Sequence, residues 1–179
     1  MNTKRIVITG GPGTGKSSII DELRERGYIC FDEISRQVTL DARKTGVEQL
    51  FLTQPLLFSQ LLLEGRAKQF MEASNYEDAT VFLDRGLPDV LAYMDFFSST
   101  YPEDFIELCK NNHYDTVFVL APWQEIFKGD SVRYESFEQS EIIHEHLLDT
   151  YKKFDYQLIN IPFGPVMERT DFIIDYLNS

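Results

Sequence analysis

Cysteine is scarce in this chain: Cys30 and Cys109 are the only two in 179 residues, and they form no C-x-x-C pair or other zinc-type spacing. A secreted disulfide scaffold would carry more, so the sequence points to two unpaired thiols in a reducing, cytoplasmic compartment. Long apolar runs are missing too. Nothing approaches the roughly twenty apolar residues that span a bilayer. After Lys4 and Arg5 only Ile6 to Ile8 are apolar before glycines begin, which is too short for a secretory leader. Positive charge is in deficit, with 17 Lys and Arg against 29 Asp and Glu and a formal net charge of -12. Such a surface as a whole repels nucleic-acid phosphates and anionic lipid, and no nucleic acid is expected as a partner. His113, His144 and His146 lack metal-ligand spacing, and the last two, two residues apart on a helix, face different ways. No repeat, low-complexity tract or Pro/Ser-rich linker divides the chain, and one domain over 1–179 is expected.

What remains is an alternation of short β-branched runs and helical segments. "RIVIT" reads as a strand ended by glycines, and "KSSIIDELRERG" as a helix with Ile19, Ile20 and Leu23 on one face and Gly27 as its stop. "YICF", "TVFLD", "TVFVLA" and "QLINIP" read as four more strands. Helices are expected over "PLLFSQLLLEGRAKQFMEA", "PDVLAYMDFF", "PEDFIELCKN", "SEIIHEHLLDTYKKFD" and "VMERTDFIIDYL", with Pro55 in a first turn and Gly65 a weak point inside its helix. Near-continuous apolar strands separated by helices imply an α/β fold with a parallel sheet covered on both faces.

Residues 8 to 18, "ITGGPGTGKSS", contain Gly10 to Ser17 in the pattern G-x-x-x-x-G-K-[ST]. Gly10, Gly11, Gly13 and Gly15 let backbone N–H groups turn inward around an anion, where some positions need positive φ. Between them stand Pro12 and Thr14. The helix starting near Lys16 aims its positive end at the same point, Lys16 reaches terminal phosphates, and the Ser17 hydroxyl is placed for Mg²⁺, with Ser18 next in the chain. A nucleoside triphosphate, ATP or GTP, is the expected ligand.

Three further stretches bear on the reaction of a bound nucleotide. In "TVFLDRGLPD", Asp84 stands at the carboxyl end of a strand and can hold Mg²⁺ or its waters opposite Ser17. Arg85 can fix an acceptor or neutralise developing charge, and Asp89 is counted with the acceptor-side residues. The alternative is Asp84 as a cap of the next helix with Arg85 as its surface partner. In "YICFDEISRQ", Asp32 and Glu33 lie at the same sheet edge, where a carboxylate can accept a hydroxyl proton, and Arg36 one turn on can bind the acceptor. The same residues also read as an acidic N-cap pair with an i,i+3 ion pair on a solvated helix. In "FKGDSVRYES", the polar Lys128 to Ser136 stretch is the expected mobile segment, and Arg133 can close over the phosphates as a lid or sit in a surface pair with Asp130 or Glu135.

Taken in order, "GGPGTGKSS", "DEISR", "LDRGLPD", "FVLAPW", "DSVRYES", "LLDTYKKFDYQLINIP" and "ERTDFIIDYL" resemble P-loop kinase-like domains of the AAA-type ATPase family. They are similar to the ribosylnicotinamide kinase domain of bacterial NAD-synthesis regulators and to a eukaryotic GTP-binding relative. The resemblance implies the nucleoside and nucleotide kinase fold of P-loop NTPases, a five-stranded parallel sheet flanked by helices. It also implies phosphate and Mg²⁺ binding at Gly10 to Ser17, metal support from Asp84, phosphate or acceptor contact from Arg85, a lid arginine at Arg133, and an acceptor-side acid at Glu33 beside Arg36. Two classes of function are consistent with it. One is a Mg²⁺-dependent kinase acting on a small hydroxyl-bearing acceptor such as a nucleoside, and the other a nucleotide-operated switch acting on a lipid or protein partner. Glu33 and Arg85 favour the first, since a switch requires no acceptor chemistry.

Overall fold

The computed structural model of the chain describes residues 3–127 and 135–179. Five strands form one sheet in the order β2-β3-β1-β4-β5, with every pairing parallel. They are β1 (Lys4–Gly10), β2 (Ile29–Phe31), β3 (Thr80–Asp84), β4 (Thr116–Leu120) and β5 (Leu158–Asn160). The helices are α1 (Lys16–Glu25), α2 (Ser35–Lys44), α3 (Leu50–Thr53), α4 (Pro55–Glu72), α5 (Leu87–Phe96), α6 (Glu103–Asn111), α7 (Phe137–Lys153) and α8 (Val166–Asn178). All five expected strands and six expected helices are present, and α2 and α3 are added between β2 and α4.

The alternation of side chains along the strands builds a core on each face. Val7, Leu83 and Val117 point to the face covered by α4, α5, α6 and α7, where Leu63, Leu87, Leu91, Phe105 and Leu147 meet them. Ile6, Ile8, Phe82 and Phe118 point to the other face, against Ile19, Ile20 and Leu23 of α1 and Ile173 of α8. Strands buried on both sides need apolar residues at successive positions, which accounts for the unbroken runs in the sequence. Cys30 and Cys109 are free thiols, and burial pushes their pKa values up to about 11 and about 12.

The chain passes from β1 outward to β2 on one side, and later from β3 across β1 to β4 on the other. The sheet therefore reverses its order at β1, and in open α/β sheets that reversal leaves a crevice at the carboxyl ends of the strands. The loop after β1 and the ends of β2 and β3 meet there. Among the described residues no helix is long and apolar enough to cross a membrane.

Candidate functional site

The loop after β1 is held through its carbonyls, by one bond within the loop and two from helices packed against it. Thr14 Oγ1 donates to Gly11 O at 2.9 Å, Ser140 Oγ of α7 to Pro12 O at 3.0 Å, and Arg169 Nη2 of α8 to Thr14 O at 2.9 Å. Gly13 and Gly15 take φ of +74° and +83°, conformations that cost a side-chain-bearing residue about 1 kcal/mol or more. A Cβ on Gly13 would also lie 2.5 Å from the Phe127 ring, and one on Gly15 2.8 Å from Arg169 Nη1. Among the described residues no protein acceptor takes the N–H of Gly13, Thr14 or Gly15. With carbonyls tied outward and N–H groups unclaimed at the start of α1, the loop is arranged to receive an anion.

Lys16 is 8% exposed and its ammonium bonds the Asp84 carboxylate. Burial, and then the like charge of Arg85, lower its pKa against the pull of Asp84. Asp84 and Ser17 line one cavity of about 360 Å³ with Ile20, Asp21, Asp32, Glu33 and Arg36. The structure thus brings the loop, the β3 carboxylate and the acidic "DEISR" segment to one space. A larger cavity of about 490 Å³ lies along α8, lined by Phe163, Arg169 and Phe172 among others, and contains none of the expected site residues.

Asp84 does not cap α5, and Arg85 is not a surface residue. Asp89 performs the capping: fully buried, it accepts from Gly86 N at 2.9 Å, Thr9 Oγ1 at 2.5 Å, Tyr151 OH at 2.5 Å and Arg85 Nη1 at 3.2 Å. Asp89, expected on the acceptor side, has both oxygens occupied by protein donors and is not among the residues lining the cavity. Arg85 takes φ of +75°, is held by its N–H on Ile8 O at 3.0 Å, and places its guanidinium 5.2 Å from the Tyr93 ring centre. A non-glycine residue in this conformation persists only where surrounding contacts over-determine it.

Glu33 pairs with Arg66 of α4, Nη2 to Oε1 at 3.0 Å, and not with Arg36. Its other oxygen accepts from Ser35 N at 3.0 Å and from the Ser35 hydroxyl. Burial alone would raise its pKa, but the charges of Arg66 and then Arg85, with the Ser35 bonds, bring it down to about 2. Asp32 points outward and pairs with Arg24 at 2.5 Å. Arg133, the expected lid residue, lies outside the described residues. Sequence spacing does not mark Arg66 and Arg169 as part of the site, because each is one of several charges on its helix and its partner lies far away in the chain.

A parallel five-stranded sheet with a glycine loop and an acidic strand-end residue at its switch point defines a P-loop NTPase of the nucleoside and nucleotide kinase fold. The AAA domain family matches residues 5–169, and the chain belongs to that family. No curated protein sequence matches it. Among solved structures it is similar to deoxyadenosine kinase from M. mycoides with products dCMP and dCDP, at TM-score 0.69 and 21% identity over 97% of this chain and 98% of that one. It is similar to the NadR protein in complex with NR at TM-score 0.73 and 16% identity, over 98% of this chain and 50% of that one. Thymidylate kinase from Ehrlichia chaffeensis gives TM-score 0.64 and 16% identity over 99% of this chain and 100% of the other.

Proposed function

We propose that the chain is a kinase that moves the γ-phosphoryl group of ATP to a small hydroxyl-bearing acceptor such as a nucleoside. The observation that carries this reading is the shared cavity, which Glu33 and Arg36 line together with Ser17 and Asp84. A nucleotide-operated switch has no use for an acidic and a basic group on the acceptor side, whereas transfer to a hydroxyl does. Deoxyadenosine kinase, thymidylate kinase and the NR-bound NadR protein share the fold and support the acceptor class.

In this reading the Gly10 to Lys16 loop cradles the β- and γ-phosphates, and Lys16 exchanges Asp84 for phosphate oxygens when nucleotide enters. Ser17 and Asp84 are oxygen donors suited to Mg²⁺. Among the described residues no group of three His, Cys, Asp or Glu side chains could hold a metal, so these two suit a cation whose other ligands are phosphate and water. The chemistry Mg²⁺ supplies at such a pair is neutralisation of charge on the phosphate oxygens. Glu33 orients the acceptor hydroxyl and takes its proton, Arg36 binds the acceptor from the rim, and Arg85 adds positive charge beside the transferring group. A cytoplasmic setting fits the two unpaired thiols.

The test is a screen of nucleosides, vitamins and sugars for acceptor-dependent ADP formation, with two variants assayed on the acceptor it finds. Asp84→Asn lowers both acceptor phosphorylation and background ATP hydrolysis. Glu33→Gln lowers acceptor phosphorylation by about a hundredfold, the lower end of general-base effects, and leaves background hydrolysis nearly unchanged. Equal loss of both activities in the two variants contradicts the division of roles. A chain that hydrolyses ATP with no acceptor dependence, and is indifferent to Glu33, is a switch.

A further inference from the structure

Helix α4 carries two buried polar side chains that neither phosphate binding nor transfer to a hydroxyl requires. Arg66 is 3% exposed and Gln69 9%. Arg66 sends Nη2 to Glu33 Oε1 at 3.0 Å and Nη1 to Gly86 O at 3.1 Å. One turn on, Gln69 Nε2 donates to Asp32 O at 2.8 Å. Arg66 Nε and Gln69 Oε1 are buried with no hydrogen-bond partner among the described residues. At Gly65, which reads from sequence as a weak point in the helix, Ile34 Cδ1 fills the space a Cβ would need. Three consecutive residues, 32 to 34, are therefore seated on α4, at Gln69, Arg66 and Gly65 respectively.

Helix α2 holds them only in part: Ser35 at its start bonds Glu33, but none of its residues is buried, and residues 32 to 34 each meet α4. A buried guanidinium with one nitrogen unpaired is a costly way to fill space, and an apolar side chain of similar size would pack as well or better. What an apolar residue cannot do is bridge two loops. Arg66 reaches the acceptor-side carboxylate with one arm and, with the other, the carbonyl of Gly86, just past Asp84 and Arg85.

We propose that Arg66 is a positioning residue that locks Glu33 to the 84–86 loop, so that the acceptor side and the phosphate side of the cavity share one geometry, with Gly65 and Gln69 seating the same segment. That Glu33 serves an acceptor rests on the kinase reading; the coupling of Arg66 to Glu33 does not.

The groups facing Glu33 are Arg66 from α4, Arg85 from the β3–α5 loop, Lys16 from the start of α1 and Ser35 from α2. Asp32 and Arg36 flank it along its own segment, and Asp84 lines the same cavity. Loss of the Arg66 charge leaves burial opposed mainly by Arg85 and Ser35, so the Glu33 carboxyl must rise from about 2.

The first measurement is a titration of the Glu33 side-chain carboxyl by ¹³C NMR in the wild type, Arg66→Met and Arg66→Lys, with thermal unfolding to show that each is folded. The expected result is a midpoint raised by about one unit or more in Arg66→Met and by less in Arg66→Lys, which keeps the charge and stands in should the Met variant not fold. An unmoved midpoint overturns the proposal whether or not the chain is a kinase. The second measurement uses the acceptor found in the screen. Arg66→Met lowers acceptor turnover by about ten- to a hundredfold, with nucleotide Kd and background hydrolysis within about threefold of wild type, and the Arg66→Met/Glu33→Gln double variant is no slower than Glu33→Gln alone. Multiplicative losses in the double variant overturn the proposal. A wild-type chain without any acceptor activity but with the NMR shift present counts against the kinase reading and for the Arg66–Glu33 coupling.

Discussion

Asp89 offers the sharpest stability test of the site, because one side chain gathers four donors in a fully buried position. Asp89→Asn preserves volume and shape while replacing one carboxylate oxygen by an NH₂ group. If the NH₂ takes the place of Oδ2, it faces the Tyr151 hydroxyl and the Gly86 N–H; if it takes the place of Oδ1, it faces Thr9 and Arg85. Either way two buried donors lose their acceptor and meet another donor. At about 1–3 kcal/mol for each buried group left unsatisfied, the loss is about 2–6 kcal/mol. Against a total stability of about 5–15 kcal/mol, that is a large fraction. Urea unfolding followed by circular dichroism reads it as a lower midpoint at unchanged m-value. Tyr151→Phe alone should cost about 1.5–3 kcal/mol, the range for a bond to a charged group. In the Asp89→Asn background the same change should cost much less, because the bond it removes is already impaired. A loss below about 1 kcal/mol for Asp89→Asn, or additive losses in the pair, would refute the account of Asp89 as the anchor of the β3–α5 loop.

Lys16→Ala should raise the ATP Kd by about a hundredfold or abolish turnover, and equilibrium binding of a fluorescent ATP analogue checks it. Since the variant also leaves the Asp84 carboxylate, 7% exposed, without its cation, it should lose about 1–3 kcal/mol of stability in a nucleotide-free unfolding experiment. Arg133→Ala should lower kcat by about a hundredfold while the nucleotide Kd changes only a few-fold, as expected of a charge that acts on the transition state; unchanged turnover removes the lid assignment. Glu33, with a pKa depressed to about 2 and a side chain 21% exposed, contributes stability that is fully present above the ordinary carboxylate range and is lost as pH falls towards about 2. The stability advantage of wild type over Glu33→Gln should therefore be greatest near neutral pH, on the order of 3 kcal/mol at most, and shrink below about pH 4.5.

The parts of the fold that depend on local pattern are legible in the sequence. Each strand is an apolar run with turn residues at its end, and the phosphate loop is a contiguous pattern whose glycines, strand and helix are all neighbours in the chain. Helix α2 is harder to read. Its ten residues bury nothing and only Val38, Leu40 and Ala42 among them are apolar, so little but the acidic cap pattern at "DEISR" hints at it. The choice of partners is not legible at all. Glu33 has Arg36 one turn away and takes Arg66, 33 residues on; Asp89 reads from sequence as an acceptor-side residue and is tied to Thr9 and Tyr151, 80 and 62 residues away. Such pairings depend on which faces the sheet brings together, and no local spacing encodes them.

A carboxylate held near a pKa of 2 is a poor proton acceptor at equilibrium, and this bears on how Glu33 can serve phosphoryl transfer. In a loose transition state the bond to the acceptor oxygen is barely formed, so the hydroxyl becomes acidic only late in the reaction. The strength of the base then matters less than the direction from which it holds the hydroxyl. The site is built accordingly. Glu33 is fixed at one oxygen by Arg66 and at the other by Ser35, Arg85 is fixed by Asp89, and Asp89 is fixed by Thr9 and Tyr151 from two other elements. The ties on Glu33 lower its basicity and narrow its range of positions. A site relying on strong general-base catalysis would leave its carboxylate less well paired, with a pKa nearer neutrality. On the kinase reading proposed above, the arrangement around Glu33 instead favours orientation of an acceptor hydroxyl over strong proton abstraction.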